Sequence, residues 1–286
     1  MLMKTVLEVI NATTDYFRNS GIESPRLNIE HLLAHVMGKR RMDLYLEFDR
    51  PLDEKQLGPL RDLVRRRAQR EPLQHLLGTV EFLGLTLKCD ARALIPRPET
   101  EQLCELLLAE AKSPDCEWKD GTIVDVGTGS GCIALALAAA LPGANVTGVD
   151  ASDDALALAV ENAARTELSG RVQFSKSDLL SAIAGPIDLI VANLPYVPSD
   201  EVRSIQNEVR REPLPALDGG PDGMAEIRRL LPEAAAKLRS GGRLALEIGL
   251  GQAPALVADL TAHGFREPGI LKDYQGRDRY LLATHG

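Results

Sequence analysis

Up to about residue 75 the core-type side chains recur three and four positions apart. Val6, Val9, Ile10 and Thr13 make one such run, Leu32, Leu33, Val36 and Met37 a second, and Leu57, Leu60, Leu63 and Val64 a third. That spacing predicts amphipathic helices. Gly21, Gly38 and Pro51 punctuate them, and Asp53-Glu54 suits a helix start. Short helices with short connections predict a small helical bundle over 1–77. Between 78 and 93 the period changes to two. Thr79 to Phe82 and Leu85 to Cys89 alternate apolar and polar around Leu83-Gly84, which predicts a β-hairpin acting as a linker.

The remainder, 94–286, opens on Leu94-Ile95-Pro96-Arg97-Pro98-Glu99-Thr100-Glu101. Two prolines stiffen the backbone around Arg97, so the arginine is either part of a plain helix entry or poised to meet a carboxylate. An amphipathic helix follows through Leu103, Leu106, Leu107 and Leu108. From residue 121 strands and helices alternate. Strands are predicted at Thr122–Val126, Asn145–Val149, Val172–Phe174, Ile187–Ala192 and Arg243–Ile248, with a last pair near 268–272 and 279–282. Helices are predicted from Cys132 to Leu141, from Ser152 as cap to about Arg165, from about 223 to 239 ended by Gly241-Gly242, and from about 252 to 263. This alternation predicts an α/β protein with a doubly wound, mostly parallel sheet. The connection from Val197 to Pro221 breaks the rhythm. Unstructured stretches of that length in a compact domain serve function or stay disordered, and here a lid is expected.

Composition narrows the class. The chain has 286 residues, 44% apolar and 26% charged, and a net charge of -8. Residues 1–90 carry 14 Lys/Arg against 13 Asp/Glu, and the rest carries 19 against 28. An acidic main body disfavours sequence-independent binding to duplex nucleic acid, which needs many phosphate contacts. The one basic cluster, Arg65-Arg66-Arg67, reads as a solvated helix face. No apolar run is long enough to span a membrane, and the N-terminus lacks a signal pattern. Cys89, Cys104, Cys116 and Cys132 are scattered, as expected of reduced thiols in a cytoplasmic protein. His31 and His35 stand one helical turn apart, but no third ligand is evident, so no metal site is expected.

The candidate chemistry lies at strand ends. Ile190-Val191-Ala192 is a buried strand that stops abruptly at Asn193-Leu194-Pro195-Tyr196. In open α/β sheets ligands bind at that carboxyl edge. Gly127-Thr128-Gly129-Ser130-Gly131 forms a tight strand-to-helix turn that lets backbone approach a ligand. The last glycine of a dinucleotide fingerprint would fall at Cys132 and is absent, which counts against a pyrophosphate-bearing cofactor. Asp150 ends the second strand and can accept both hydroxyls of a ribose, a feature that nicotinamide cofactors and S-adenosylmethionine share. Asp178 suits an adenine amino group, with a helix cap as the lesser alternative. Asn193 to Tyr196 discriminates. A planar amide or aromatic amino nitrogen is a poor nucleophile, and it attacks a sulfonium methyl only if held face-on. The Asn193 side-chain oxygen and the Leu194 carbonyl can each accept one N–H, Tyr196 can stack on the substrate plane, and Pro195 limits backbone freedom. Such orientation is worth on the order of 7–11 kcal/mol in the best intramolecular cases. The bland alternative makes Asn193 a strand cap and Tyr196 a packed ring.

These motifs, in this order and over nearly the whole chain, resemble the HemK/PrmC family of peptide chain release factor glutamine methyltransferases. The Glu212-Pro213…Ala216-Leu217…Gly219-Gly220…Asp222-Gly223 stretch adds to the match. The resemblance implies a Rossmann-like, class I S-adenosylmethionine-dependent methyltransferase acting on the glutamine N5 of a Gly-Gly-Gln motif. It implies that the glycine turn holds the methionine part of the cofactor, Asp150 the ribose, and Asp178 with Leu179 the adenine, with Asn193 and Arg97 also at the cofactor. Asn193, Leu194, Pro195 and Tyr196 would hold the glutamine amide. The bundle would recognise the release factor, and a monomer without stable nucleic-acid binding is expected. The family usually reads Asn-Pro-Pro-Tyr. Leu194 keeps the carbonyl but gives up rigidity, so function at a lower rate is expected. Other readings are methylation of a ribosomal protein or of adenine N6, a non-catalytic scaffold, and a nicotinamide-linked oxidoreductase.

Overall fold

The computed structural model describes residues 4–204 and 206–286. The expectations that fall on Met1 to Met3 and on Ile205 lie outside these. The chain forms two compact units, one of 1–78 with 206–211, the other of 79–205 with 212–286.

The first unit is a bundle of α1 (Val6–Asn19), α2 (Pro25–Met37), α3 (Glu54–Ala68) and the short α4 (Leu73–Leu77), with a 3-10 segment at Arg41–Leu46. Thr5 and Glu8 cap α1 reciprocally, and Asp53 with Gln56 does the same for α3. Ile10, Phe17, Ile29, Leu32, Leu33 and Leu44 are fully buried at its centre. Thr14, not Thr13, faces that core, its hydroxyl donating to the Ile10 carbonyl at 2.7 Å. The arginine run is not uniformly solvated. Arg65 pairs with Asp62 and Arg66 with Glu71, but Arg67 is buried. Its guanidinium donates to Asn28 Oδ1 at 2.7 Å and to Glu208 Oε1 at 3.1 Å. A buried charge needs such partners, and Glu208 lies too far along the sequence to be foreseen.

The second unit begins with the hairpin, β1 (Thr79–Phe82) and β2 (Leu85–Lys88). Leu83 and Gly84 have φ of 45° and 78°, as a two-residue hairpin turn requires. The hairpin does not stand apart as a linker. Phe82 and Leu87 join a core with Leu103 and Leu107 of α5 (Pro98–Glu110) and Leu135 and Leu137 of α6 (Cys132–Ala140). A lone pair of strands needs such packing to persist.

The sheet has seven strands: β3 (Thr122–Val126), β4 (Asn145–Asp150), β5 (Val172–Lys176), β6 (Ile187–Ala192), β7 (Leu238–Glu247), β8 (Phe265–Lys272) and β9 (Asp278–His285). Their order is β5-β4-β3-β6-β7-β9-β8, parallel up to β7 and antiparallel at β9 and β8. The helices α7 (Asp153–Arg165), α8 (Ala225–Lys237) and α9 (Ala253–Ala262) complete the fold. Ile123, Leu189, Val191 and Ala245 face α5 and α6, while Val124, Ile190, Leu244 and Leu246 face α8 and α9. Burial on both faces explains the uninterrupted apolar run of β6. Gly241-Gly242 does not end a helix. It lies inside β7, where pairing with β6 jumps from Ile187–Leu238 to Leu189–Arg243. The order reverses between β3 and β6, which places a crevice at their carboxyl ends. No helix of the described residues is long and apolar enough to cross a membrane.

Candidate active site

A cavity of about 610 Å³ opens at the carboxyl ends of β3, β4 and β6. Gly127, Thr128, Gly129, Ser130, Asp150, Asp178, Leu179, Asn193, Leu194, Pro195 and Arg97 all line it. Gly131 and Tyr196 do not. The second half of the long connection, Pro213 to Ala216 with Asp218, forms one wall. That connection is built from 3-10 turns at Val202–Ser204, Val209–Arg211 and Leu214–Ala216, and Val197 bridges to Asp218.

The glycine turn takes left-handed backbone at Gly127 (φ 72°), Gly129 (55°) and Gly131 (82°), a region that side chains disfavour. A Cβ on Gly131 would lie 3.1 Å from both Ala159 and Phe174, so this glycine serves close packing behind the cavity. Asp125, wholly buried, organises the turn. Its Oδ2 accepts from Thr128 Oγ1 at 2.6 Å and from the Ala134 amide at 3.2 Å, while its Oδ1 has no partner. Burial pushes its carboxyl up to about 7, against the hydrogen bonds from Thr128 and Ala134. Asp150 accepts from the Gly129 amide at 2.9 Å and from the Ser152 amide at 2.9 Å, one bond to each oxygen. Each oxygen keeps a lone pair for a ligand hydroxyl. Leu179 sits at φ 48°, an uncommon backbone state for leucine that clusters at ligand sites. Asp178 is exposed and paired with Arg229 at 2.7 Å.

Asn193 directs its amide nitrogen to Thr100 Oγ1 at 2.9 Å, and Thr100 donates to Glu247 Oε2 at 2.7 Å. Among the described residues no donor is bonded to Asn193 Oδ1 or to the Leu194 carbonyl. The Tyr196 hydroxyl points to Glu247 Oε1 at 3.4 Å, and the Arg279 guanidinium lies 5.8 Å from its ring centre. The ring is therefore engaged behind the cavity rather than lining it. Leu194 is buried, and its Cδ2 would lie 3.0 Å from a Cβ at Gly127. Arg97 does meet a carboxylate: it pairs with the buried Glu212, whose Oε2 also accepts from the Ile95 amide at 2.8 Å. All four cysteines are free. Burial pushes the Cys89 and Cys132 thiols up to about 12, so neither is a nucleophile at neutral pH.

Residues 8–78 match the PrmC N-terminal domain, and 100–212 match the methyltransferase small domain. The release factor glutamine methyltransferase of Geobacter sulfurreducens is 41% identical, over 99% of this chain and 97% of its own length. That of Moorella thermoacetica is 44% identical over 92% of each. This chain belongs to the release factor glutamine methyltransferase family. Among solved structures, the METTL16 catalytic domain in complex with a MAT2A 3'UTR hairpin superposes with a TM-score of 0.56 at 18% identity. It covers 79% of this chain and 82% of that one, and it shares the methyltransferase fold.

Several residues of this release factor glutamine methyltransferase family member hold the site without being visible as site residues in the sequence. Thr100 lies in the first turn of α5, where it reads as a helix-entry residue. Glu247 ends a strand that reads as plain core. Asn162, on α7, accepts from the Lys88 amide at 2.6 Å and donates to the Lys88 and Ser130 carbonyls at 3.2 and 2.9 Å. It thereby ties the hairpin to the glycine turn. Gln252, just before α9, donates to the Tyr196 carbonyl at 2.9 Å and the Gly223 carbonyl at 3.2 Å, and accepts from the Gly249 amide at 2.8 Å. The one available signal is a polar residue among apolar neighbours, as in Ala245-Leu246-Glu247-Ile248.

Proposed function

We propose that the protein transfers a methyl group from S-adenosylmethionine to the N5 amide nitrogen of the glutamine in the Gly-Gly-Gln motif of peptide chain release factors. In this reading Asn193 Oδ1 and the Leu194 carbonyl each accept one N–H of the glutamine amide. The observation that carries it is this pair of unengaged acceptors, consecutive in the chain, at the rim of a cavity whose far side fits an adenosyl ligand.

The fit rests on the lining. Three left-handed glycines bring backbone close to the space, and the N-terminus of α6 opens on it. Asp150 keeps acceptor capacity for two hydroxyls. Leu179 and Asp178 edge the end suited to a flat base, and the volume lies within the range of small-ligand sites. Bound there, S-adenosylmethionine supplies an electrophilic methyl group on a sulfonium sulfur. Asn193 and Leu194 fix the plane of the glutamine amide, because two acceptors on one NH₂ group leave it no rotation. Pro195 restricts Leu194 to extended backbone, which holds that carbonyl in place. Tyr196 acts from behind, through Glu247, rather than as the stacking ring. The first unit is assigned to release-factor recognition, supported by its match to the PrmC N-terminal domain.

Incubation with labelled cofactor and a purified bacterial release factor is expected to place one methyl on the Gly-Gly-Gln glutamine, located by peptide mass mapping. Label found only in a ribosomal protein, RNA or DNA would overturn the substrate. An Asn193→Ala variant is expected to bind S-adenosylhomocysteine but lose turnover.

A further inference from the structure

We propose that Thr100 and Glu247 are positioning residues for methyl transfer: together they set which end of the Asn193 amide faces the substrate. The proposal rests on the reading of Asn193 Oδ1 as an acceptor for the glutamine amide.

Three elements meet here. Asn193 follows β6, Thr100 stands in the first turn of α5, and Glu247 ends β7. Thr100 is 2% exposed and Glu247 is 1% exposed, so water does not compete for their bonds. The direction of the chain follows from proton counting. An ionised carboxylate only accepts, so the single Thr100 hydroxyl proton goes to Glu247 Oε2. The Thr100 oxygen is then left as an acceptor, and only the NH₂ end of Asn193 can satisfy it. Asn193 Oδ1 therefore turns away, toward the cavity. Were Glu247 protonated on Oε2, it would donate to Thr100. Thr100 would then donate onward, and Asn193 would rotate to offer it Oδ1. The NH₂ group of Asn193 would face the NH₂ group of the incoming glutamine, donor against donor. The ionisation of a carboxyl that never touches substrate thus decides whether the site accepts an amide.

Glu247 is placed to make that choice near neutral pH. Burial raises its carboxyl to about 7, opposed by the Thr100 hydrogen bond, Arg279 and the Tyr196 hydrogen bond, and assisted by Glu99. The other titratable groups around it are Cys104 from α5, Cys132 from α6 and Tyr280, its cross-strand partner on β9. Each of these has its ordinary range pushed further above neutrality by burial, so none of the three titrates with it.

The test uses the full-length enzyme and a purified release factor, with kcat measured from pH 5.5 to 9. Wild type is expected to gain turnover as pH rises through about 7. Glu247→Gln removes the ionisation. It is expected to lose that limb and to turn over about 5- to 10-fold more slowly, because a neutral acceptor replaces a charged one. Thr100→Val is expected to lower kcat by about 10²-fold through misplacement of the amide, with Thr100→Ser restoring it to within a few-fold. Calorimetric binding of S-adenosylhomocysteine is expected to stay within about threefold in every variant, which also reports on folding. If Asn193→Ala is inactive while Thr100→Val and Glu247→Gln keep both wild-type kcat and the wild-type pH limb, the relay is wrong and the amide-holding role of Asn193 stands. If Asn193→Ala turns over normally, both fall together.

Discussion

A methyl group added at Gly127 tests how the glycine turn, the proposed cofactor side of the site, is locked to Leu194 on its proposed amide side. Gly127→Ala meets two separate obstacles. The backbone there is left-handed at φ 72°, which costs an L-residue about 1–2 kcal/mol. The new Cβ would also stand 3.0 Å from Leu194 Cδ2, inside the ordinary 3.5–4.0 Å contact distance. Leu194 is 5% exposed and held in the core below β6, so relieving the clash disturbs packing at about 1–3 kcal/mol. The single variant is therefore expected to lose about 2–5 kcal/mol in urea unfolding, as the sum of those two costs. It should also bind S-adenosylhomocysteine more weakly. Leu194→Ala alone is expected to cost about 2–5 kcal/mol as a core truncation. On that background the clash is gone, and Gly127→Ala should cost only the backbone share. The double-mutant cycle should then return a coupling of about 1–3 kcal/mol. Additivity within about 0.5 kcal/mol would refute the contact between the two halves, and a neutral Gly127→Ala would refute the backbone argument as well.

Asn162→Ala leaves the amide and carbonyl of the half-buried Lys88 and the Ser130 carbonyl without their partner, and empties a fully buried position. Urea unfolding should show a loss of about 3–5 kcal/mol, the desolvation of those groups plus the void. Gln252→Glu removes a buried donor that serves the Tyr196 and Gly223 carbonyls; it should destabilise by about 2–4 kcal/mol and lower kcat, with Gln252→Ala the milder change. Asp125, raised from 3.8 to about 7 by burial, binds its proton more tightly in the folded state than in the unfolded state. Its contribution to stability is full below about pH 4 and is lost as pH rises through about 7, on the order of 1.4 kcal/mol for each tenfold tightening of proton binding. Asp125→Asn cannot titrate, so the wild-type advantage over it should shrink across that window in a pH series of urea melts, while Glu247 contributes equally to both proteins and cancels.

What is legible in the sequence is whatever is encoded within a few residues. Period and punctuation place α1, α2, α3 and every strand of the sheet, and Gly127 to Gly131 marks its own turn because left-handed backbone selects glycine locally. The start of β7 escapes for the same reason. Gly241-Gly242 carries the local mark of a helix end, and only pairing with β6 reveals it as an irregularity inside a strand. Spacing alone favours Thr13 over Thr14, although a threonine that returns its hydroxyl to the preceding turn can be buried on either side of an ideal stripe. Arg67 looks like part of a solvated run until Asn28 and Glu208 supply partners from afar.

The site divides along the same line. The residues proposed to touch a ligand stand at strand ends in short motifs and line the cavity, since a strand end and its turn are local events. Groups that orient them come from elsewhere: Thr100 lies 93 residues from Asn193, and Glu247 lies 147 from Thr100. Only the sheet order, which sets β6 beside β7 and lets α5 pack across both, brings them together. Leu194 shows the consequence. Read as a motif, leucine in a proline position means lost rigidity and a slower enzyme. Read in the fold, its side chain is anchored against Gly127 and its backbone is constrained by Pro195. Packing then offers a restraint of a different kind from a ring, and the rate of a Leu194→Pro variant measures whether the two are equivalent for the carbonyl proposed to hold the amide.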